Sequence, residues 1–346
     1  ERGGHDVIRK PMRQWVLKIT DYAESLLAGV DELDWPEGIK EMQRNWIGKS
    51  EGAEVSFPVF GHEGKSIKVF TTRADTIFGA TYMVVAPEHP LLAEIAGEAE
   101  RNKVAAYVDD AKNKSDRARQ EEANLKTGVF TGAYAINPFS GTKIPVYVAD
   151  YVLITYGTGA IMAVPGHDQR DWDFARKFSL PIIEVVAGGN VEEAPYSGDG
   201  VLVNSDFLNG LSVEDARNRA HQEIKNRQLG EVSTKYKLRD WLFSRQRYWG
   251  EPFPVIHTAD GIKVLGDDEL PVLLPEIEKY QPTEDGEPPL ARAQEWCNYT
   301  NGSISGRRET NTMPQWAGSC WYYLRFVDPI NSVEAWSKEA ENYWMP

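Results

Sequence analysis

Apolar residues recur at three- and four-residue steps through Met12, Trp15, Val16, Ile19, Tyr22, Ala23 and Leu26, which predicts an amphipathic helix over 11–30. A turn at Asp34-Trp35-Pro36-Glu37-Gly38 leads to a second short helix over 39–46, ended by Gly48. The pattern then changes to strand type over 53–60, 66–72 and 82–86, with Gly- and Asp-containing turns between. Residues 90–126 are polar and helix-prone, and the mixed charges of 109–117 read as a solvated helix face or a mobile loop. Strand-type segments return at 147–149, 151–155 and 159–164 and stop at Pro165-Gly166. Trp172, Ala175 and Phe178 share one face of a helix over 168–178; 180–186 reads as a strand and 212–227 as a long amphipathic helix. Beyond these lie a basic, aromatic stretch at 235–250, a Pro- and Glu-rich stretch at 265–310, and an aromatic one at 316–326. Strands and helices are mixed throughout, which is an α/β pattern.

Composition narrows the class. The 346 residues are 41% hydrophobic and 26% charged, enough apolar material for the cores of two or three globular domains. With 38 Lys+Arg against 52 Asp+Glu the net charge is −14, which argues against one large nucleic-acid-binding face and leaves room for a local one. No apolar run approaches the ~20 residues of a membrane span. The first residues lack the apolar core of a signal peptide, and Cys297 and Cys320 are the only cysteines. The expectation is a reducing interior, the cytoplasm or an organellar matrix or stroma, with no membrane partner.

Three constellations carry candidate chemistry. The first, Thr71-Thr72-Arg73-Ala74-Asp75-Thr76, sets hydroxyls and a guanidinium at a strand end, where they suit a sugar hydroxyl, a phosphate or a carbonyl oxygen; a strand end capped by Asp75 is the bland alternative. The second runs from Gly157 through Met162, Val164, His167, Asp168, Arg170 and Asp171, a strand meeting a helix N-terminus. Asp168 and Asp171 there serve equally as caps. The third, residues 235–250, has five bases (Lys235, Lys237, Arg239, Arg245, Arg247) against one acid, Asp240. Interleaved with Trp and Tyr, they suit a nucleotide or nucleic acid, or a helix whose Arg stems cover aromatic core. There is no Cys-x-x-Cys, no His-Glu-x-x-His, no Walker loop and no Gly-x-Ser-x-Gly elbow.

In this order and spacing the three motifs resemble the middle of a class I leucyl-tRNA synthetase of the bacterial and organellar type, across essentially the whole chain. Thr71 to Thr76 is similar to the threonine-rich editing motif, Gly157 to Asp171 to the second editing motif, and Asp240 to Gly250 to the return into the catalytic core. Ser319-Cys320-Trp321-Tyr322-Tyr323-Leu324-Arg325 resembles a later core segment. The resemblance implies a β-rich, barrel-like editing domain with flanking helices, inserted into parts of a Rossmann-like core. The implied divisions are catalytic core at 1–48, editing domain at 49–230, core at 231–256, a degenerate zinc-ribbon-like insertion at 257–308, and core at 309–346. His-Ile-Gly-His and Lys-Met-Ser-Lys-Ser are absent, so the expectation is an internal fragment. Ala259-Asp260-Gly261 and Asn298 to Gly302 stand where relatives carry cysteine knuckles, so no metal is expected.

The implied reaction is hydrolysis of tRNA(Leu) mischarged with norvaline, isoleucine or methionine, needed because a hydrophobic synthetic site separates such side chains by only ~1–3 kcal/mol. By resemblance Asp171 holds the α-ammonium, and Thr71, Thr72 and Arg73 border the ester and the terminal adenosine. Thr76 excludes leucine, with Met162 and Val164 on the nearby wall; Tyr156, His167 and Asp168 are further substrate contacts, and Arg245 and Arg247 nucleic-acid contacts. Editing needs no cofactor. ATP and Mg serve aminoacylation by the full-length enzyme, whose partners are tRNA(Leu), leucine and misactivated amino acids, and a monomer is expected. The alternatives are a non-catalytic tRNA-binding or scaffolding remnant and a free-standing deacylase.

Overall fold

A computed structural model of the chain describes residues 12–112, 114, 119, 126–154, 157–283 and 286–345. They form two compact units, Ala23–Leu238 and Met12–Tyr22 with the residues from Arg239 onward.

In the first unit, Lys49–Pro58 is the middle strand of an antiparallel sheet, flanked by Ser66–Thr71 and Gly230–Tyr236. Its alternate residues Ala53, Val55 and Phe57 are fully buried, as the two-residue period of a strand requires. A second sheet orders Val129–Ile136, Lys143–Val148, Tyr82–Val85 and Ala160–Ala163, and its central pair is parallel. Met83, Val85, Val146 and Val148 enter the main core together with Ala216, Ala220 and Ile224 of the helix Val213–Asn226. Tyr82, Val84 and Tyr147 face the other way, onto Phe174 and Phe178 of the helix Gln169–Phe178. Burial on both faces is why Tyr82–Val85 reads as an unbroken apolar run. Among the described residues neither sheet closes on itself. The barrel-like expectation resolves into two open sheets, which approach at an isolated bridge between Val59 and Ala135.

The second helix spans Glu37–Ile47 and ends on Gly48 at φ 60°, whose N–H donates to Arg44 O. Other segments depart from the sequence reading. Residues 180–186 form no strand, because Pro181 lacks an N–H and the Val185 and Val186 amides donate to the His167 ring. Residues 151–154 are turns and bends where a strand was expected. The expected helix over 11–30 forms only at Ala23–Glu32, preceded by a short 3-10 turn at Ile19–Tyr22.

Residues before that turn belong to the second unit, where Val16–Leu17 is extended and pairs with Trp241–Leu242. A long-range partner has overridden a local helical period. The basic stretch contains no helix, so its Arg stems do not cover a helical aromatic core. Reaching from just before the Pro- and Glu-rich region into it, an antiparallel sheet orders Gly261–Val264, Val255–Thr258, Ile304–Arg308 and Asn298–Asn301. No helix among the described residues is long and apolar enough to cross a membrane.

Candidate active site

The strand Ser66–Thr71 delivers its last residue to a 3-10 turn, Ala74–Gly79, and the two are locked together locally. Arg73 N donates to Thr71 Oγ1 at 3.0 Å. Asp75, fully buried, receives Arg73 Nε at 3.1 and 3.0 Å and its terminal nitrogen at 2.8 Å, a bidentate pair that fixes the guanidinium. The Thr76 hydroxyl donates to Arg73 O at 2.9 Å, so its first torsion is set and its methyl has one direction. Thr76 is 2% exposed, whereas Thr72 lies open to solvent. Just past the strand Val129–Ile136, buried Asn137 donates to Ile77 O at 2.7 Å and holds the turn from outside.

The second motif follows the strand Ala160–Ala163, which packs against Ser66–Thr71. Asp168 is the N-cap of the helix Gln169–Phe178, accepting from the backbone N–H of Arg170 at 2.8 Å and of Asp171 at 3.1 Å. The capping reading therefore accounts for Asp168, but not for Asp171. Asp171 turns inward; Oδ2 accepts from Val164 N at 2.7 Å, and no donor among the described residues reaches Oδ1. Burial, with the Asp168 carboxylate next, raises its pKa from 3.8 to about 7, against the lowering influence of the Val164 N–H. A carboxyl that charges near neutrality in a nearly closed setting is poised to take up a cation.

His167 is bound on both ring nitrogens. Nε2 accepts from Val185 N at 2.9 Å and Val186 N at 3.1 Å, so the proton sits on Nδ1, which donates to Tyr196 O at 2.6 Å. Burial is the main cause that lowers its pKa, consistent with this neutral state. Its ring nitrogens are committed to the fold, and what it supplies is placement of the 164–168 loop. Met162 and Val164 are buried in the main core, and Val164 Cγ1 closes the space above Gly79, where a Cβ would come within 3.1 Å. The packing of Ala160–Ala163 against Ser66–Thr71, and the Val164 side chain over Gly79, bring the two motifs together. Tyr156 lies outside the described residues.

Arg245 and Arg247 belong to the second unit. Arg245 Nη1 donates to Leu242 O at 2.8 Å and to Ser244 O at 2.9 Å. Arg247 lines a shallow cleft of about 540 Å³ with Trp249, Glu251, Leu274 and Gln315. The sheet spanning Val255 to Arg308 does not fit a zinc site: Gly261 and Gly302 sit at its hairpin tips, and Cys297 is buried with its thiol directed at Leu290 O. No three His, Cys, Asp or Glu side chains among the described residues converge as ligands.

Sequence reasoning missed Arg217 and His221, one helical turn apart on Val213–Asn226. Arg217 Nε lies 3.5 Å from Asp75 Oδ1. Their only trace in the sequence is their position, each directly after a buried alanine of the apolar stripe, Ala216 and Ala220.

The family described as leucyl-tRNA synthetase, editing domain, matches residues 44–225. The chain is also similar to the agnB2 LeuRS of Agrobacterium radiobacter K84, solved as a ternary complex with tRNA and LeuAMS. Identity is 34% and the TM-score 0.75, over 98% of this chain and 39% of that one. Both motifs of the candidate site lie inside the matched residues, and the chain belongs to the leucyl-tRNA synthetase family and carries its editing domain.

Proposed function

We propose that this chain hydrolyses the ester of tRNA(Leu) charged with norvaline, isoleucine or methionine. The observation that carries the reading is Asp171, a buried carboxyl whose pKa burial pushes up to about 7, bonded to Val164, whose side chain lies over Gly79 at the end of the threonine motif's turn. An α-ammonium would supply the cation that Asp171 lacks. Its arrival favours the ionised carboxylate and holds the ester against Thr71, Thr72 and Arg73. The Thr76 methyl, fixed by the hydroxyl bond to Arg73 O, blocks the γ-branch of leucine and admits unbranched norvaline. Met162 and Val164 complete the wall. Both cysteines lie in the second unit and the Thr76 hydroxyl is engaged, so attack by a positioned water is favoured over a covalent intermediate. ATP- and Mg-dependent aminoacylation, with leucine as substrate, falls to a longer enzyme, since the sequence holds neither ATP-binding signature of the family. We place the chain, as a monomer, where protein synthesis occurs, in the cytoplasm or an organelle.

The test is deacylation of norvalyl- and leucyl-tRNA(Leu) by the purified chain. Faster loss of norvaline than of leucine, both relative to spontaneous hydrolysis, supports the reading. Loss of both at the spontaneous rate, with tRNA still bound, would favour the non-catalytic remnant.

A further inference from the structure

Asp75 has two cationic neighbours and can neutralise only one. Arg73 takes it bidentately, and Arg217 approaches Oδ1 at 3.5 Å without forming a hydrogen bond; its Nε is buried and unpartnered. His221, four residues along the same helix, likewise has a buried Nε2 with no partner. Burial is the largest influence keeping the ring neutral, with the Arg217 charge next. Two unpartnered nitrogens on one helix face are costly unless something completes them.

The cluster also reaches water. The Arg73 and Arg217 side chains are 32% and 38% exposed, and among the described residues no acceptor meets Arg73 Nη1 or either terminal nitrogen of Arg217. Two guanidiniums over one carboxylate leave a net positive charge, with unengaged terminal nitrogens on partly exposed side chains, beside the threonine-rich strand end. That arrangement suits a tetrahedral oxyanion.

We propose that Arg217 and Arg73, backed by His221, form a phosphate subsite that receives the 5′-phosphate of the terminal nucleotide whose ribose carries the ester. The identity of that nucleotide rests on the deacylase reading, but the subsite is tested by binding alone. Adenosine 5′-monophosphate and adenosine differ only in the group at issue. Wild-type protein should bind the monophosphate about tenfold more tightly, and Arg217→Gln should narrow the gap to within about threefold. Arg217→Lys, which keeps the charge and loses the fork, should fall between. Thermal melts confirm that each variant is folded. Equal affinity of wild type for the two ligands, no saturation by the monophosphate below about 10 mM, or equal weakening of both by Arg217→Gln would each overturn the subsite. An inactive chain that still prefers the monophosphate would sink the deacylase reading and leave the subsite standing.

Discussion

Asp171→Asn separates what this carboxyl does for the reaction from what it costs the fold. The amide has nearly the same shape, and its oxygen can still accept from Val164 N, the 2.7 Å bond that anchors the side chain. What disappears is the buried charge. Because the folded-state pKa, about 7, lies above the ordinary 3.8, the native protein binds more protons than the unfolded chain between those values. Wild-type stability therefore falls as pH rises from about 4 through 7 and levels off above it. At about 1.4 kcal/mol per pH unit, the part of that window between pH 5.5 and 8 corresponds to roughly 2 kcal/mol. The variant has no such carboxyl. Urea denaturation of both proteins at the two pH values should show Asp171→Asn gaining roughly 2 kcal/mol on wild type at pH 8 relative to pH 5.5. Deacylation of norvalyl-tRNA should fall at least about tenfold, since a truncated buried ammonium–carboxylate contact commonly costs about 2–5 kcal/mol. A stability difference independent of pH would mean that the carboxylate is already solvated or paired in the native state. Wild-type-like deacylation would remove Asp171 from the substrate site.

Thr76→Ala should let leucine into the pocket, so the ratio of leucyl- to norvalyl-tRNA deacylation rises about tenfold or more; an unchanged ratio removes Thr76 from the sieve. Thr76→Tyr should block every substrate in the same assay. Gly52→Ala would set a Cβ 2.3 Å from Thr71 O, across the strand pair that positions the threonine motif, and should lower stability by ~1–3 kcal/mol in a denaturant titration. The untagged protein should carry no stoichiometric zinc by plasma emission, because Cys297 alone supplies a thiolate near the 257–308 sheet and its thiol is buried.

The parts of the fold legible in the sequence were those whose burial is decided locally. Ala53, Val55 and Phe57 alternate into the core and announce their strand, and Ser212 caps the helix after it by accepting from Asp215 N. Segments decided by a distant partner were misread. Val16 fits a helical period, and Leu17 lies inside the expected helix, yet both pair with residues more than two hundred positions away. Val185 and Val186 look like strand residues, but a histidine ring takes their amides. The motif residues could be named from resemblance, but their orientation could not. No pattern says that Asp168 caps the helix while Asp171, three residues later, turns its carboxyl onto Val164, because that depends on burial against a sheet assembled from four separate segments.

The backbone bonds around the site bear on why a steric sieve can work at all. A selectivity of ~1–3 kcal/mol for one branch or methylene group survives only if the wall does not retreat when the larger side chain presses on it. Each wall is tied at more than one point. Thr76 is held through its hydroxyl and through its own N–H to Arg73 O, and the turn behind it through Asn137. Val164 donates to Asp171 and accepts from the His167 and Asp168 amides, so the residue proposed to line the pocket is fixed by the carboxyl proposed to hold the ammonium and by the loop that caps the helix. His167 then fastens this loop to residues 185, 186 and 196. On this account the histidine matters to selectivity without touching substrate. Loosening it would let Val164 and Thr76 yield to leucine, eroding discrimination before it erodes the rate.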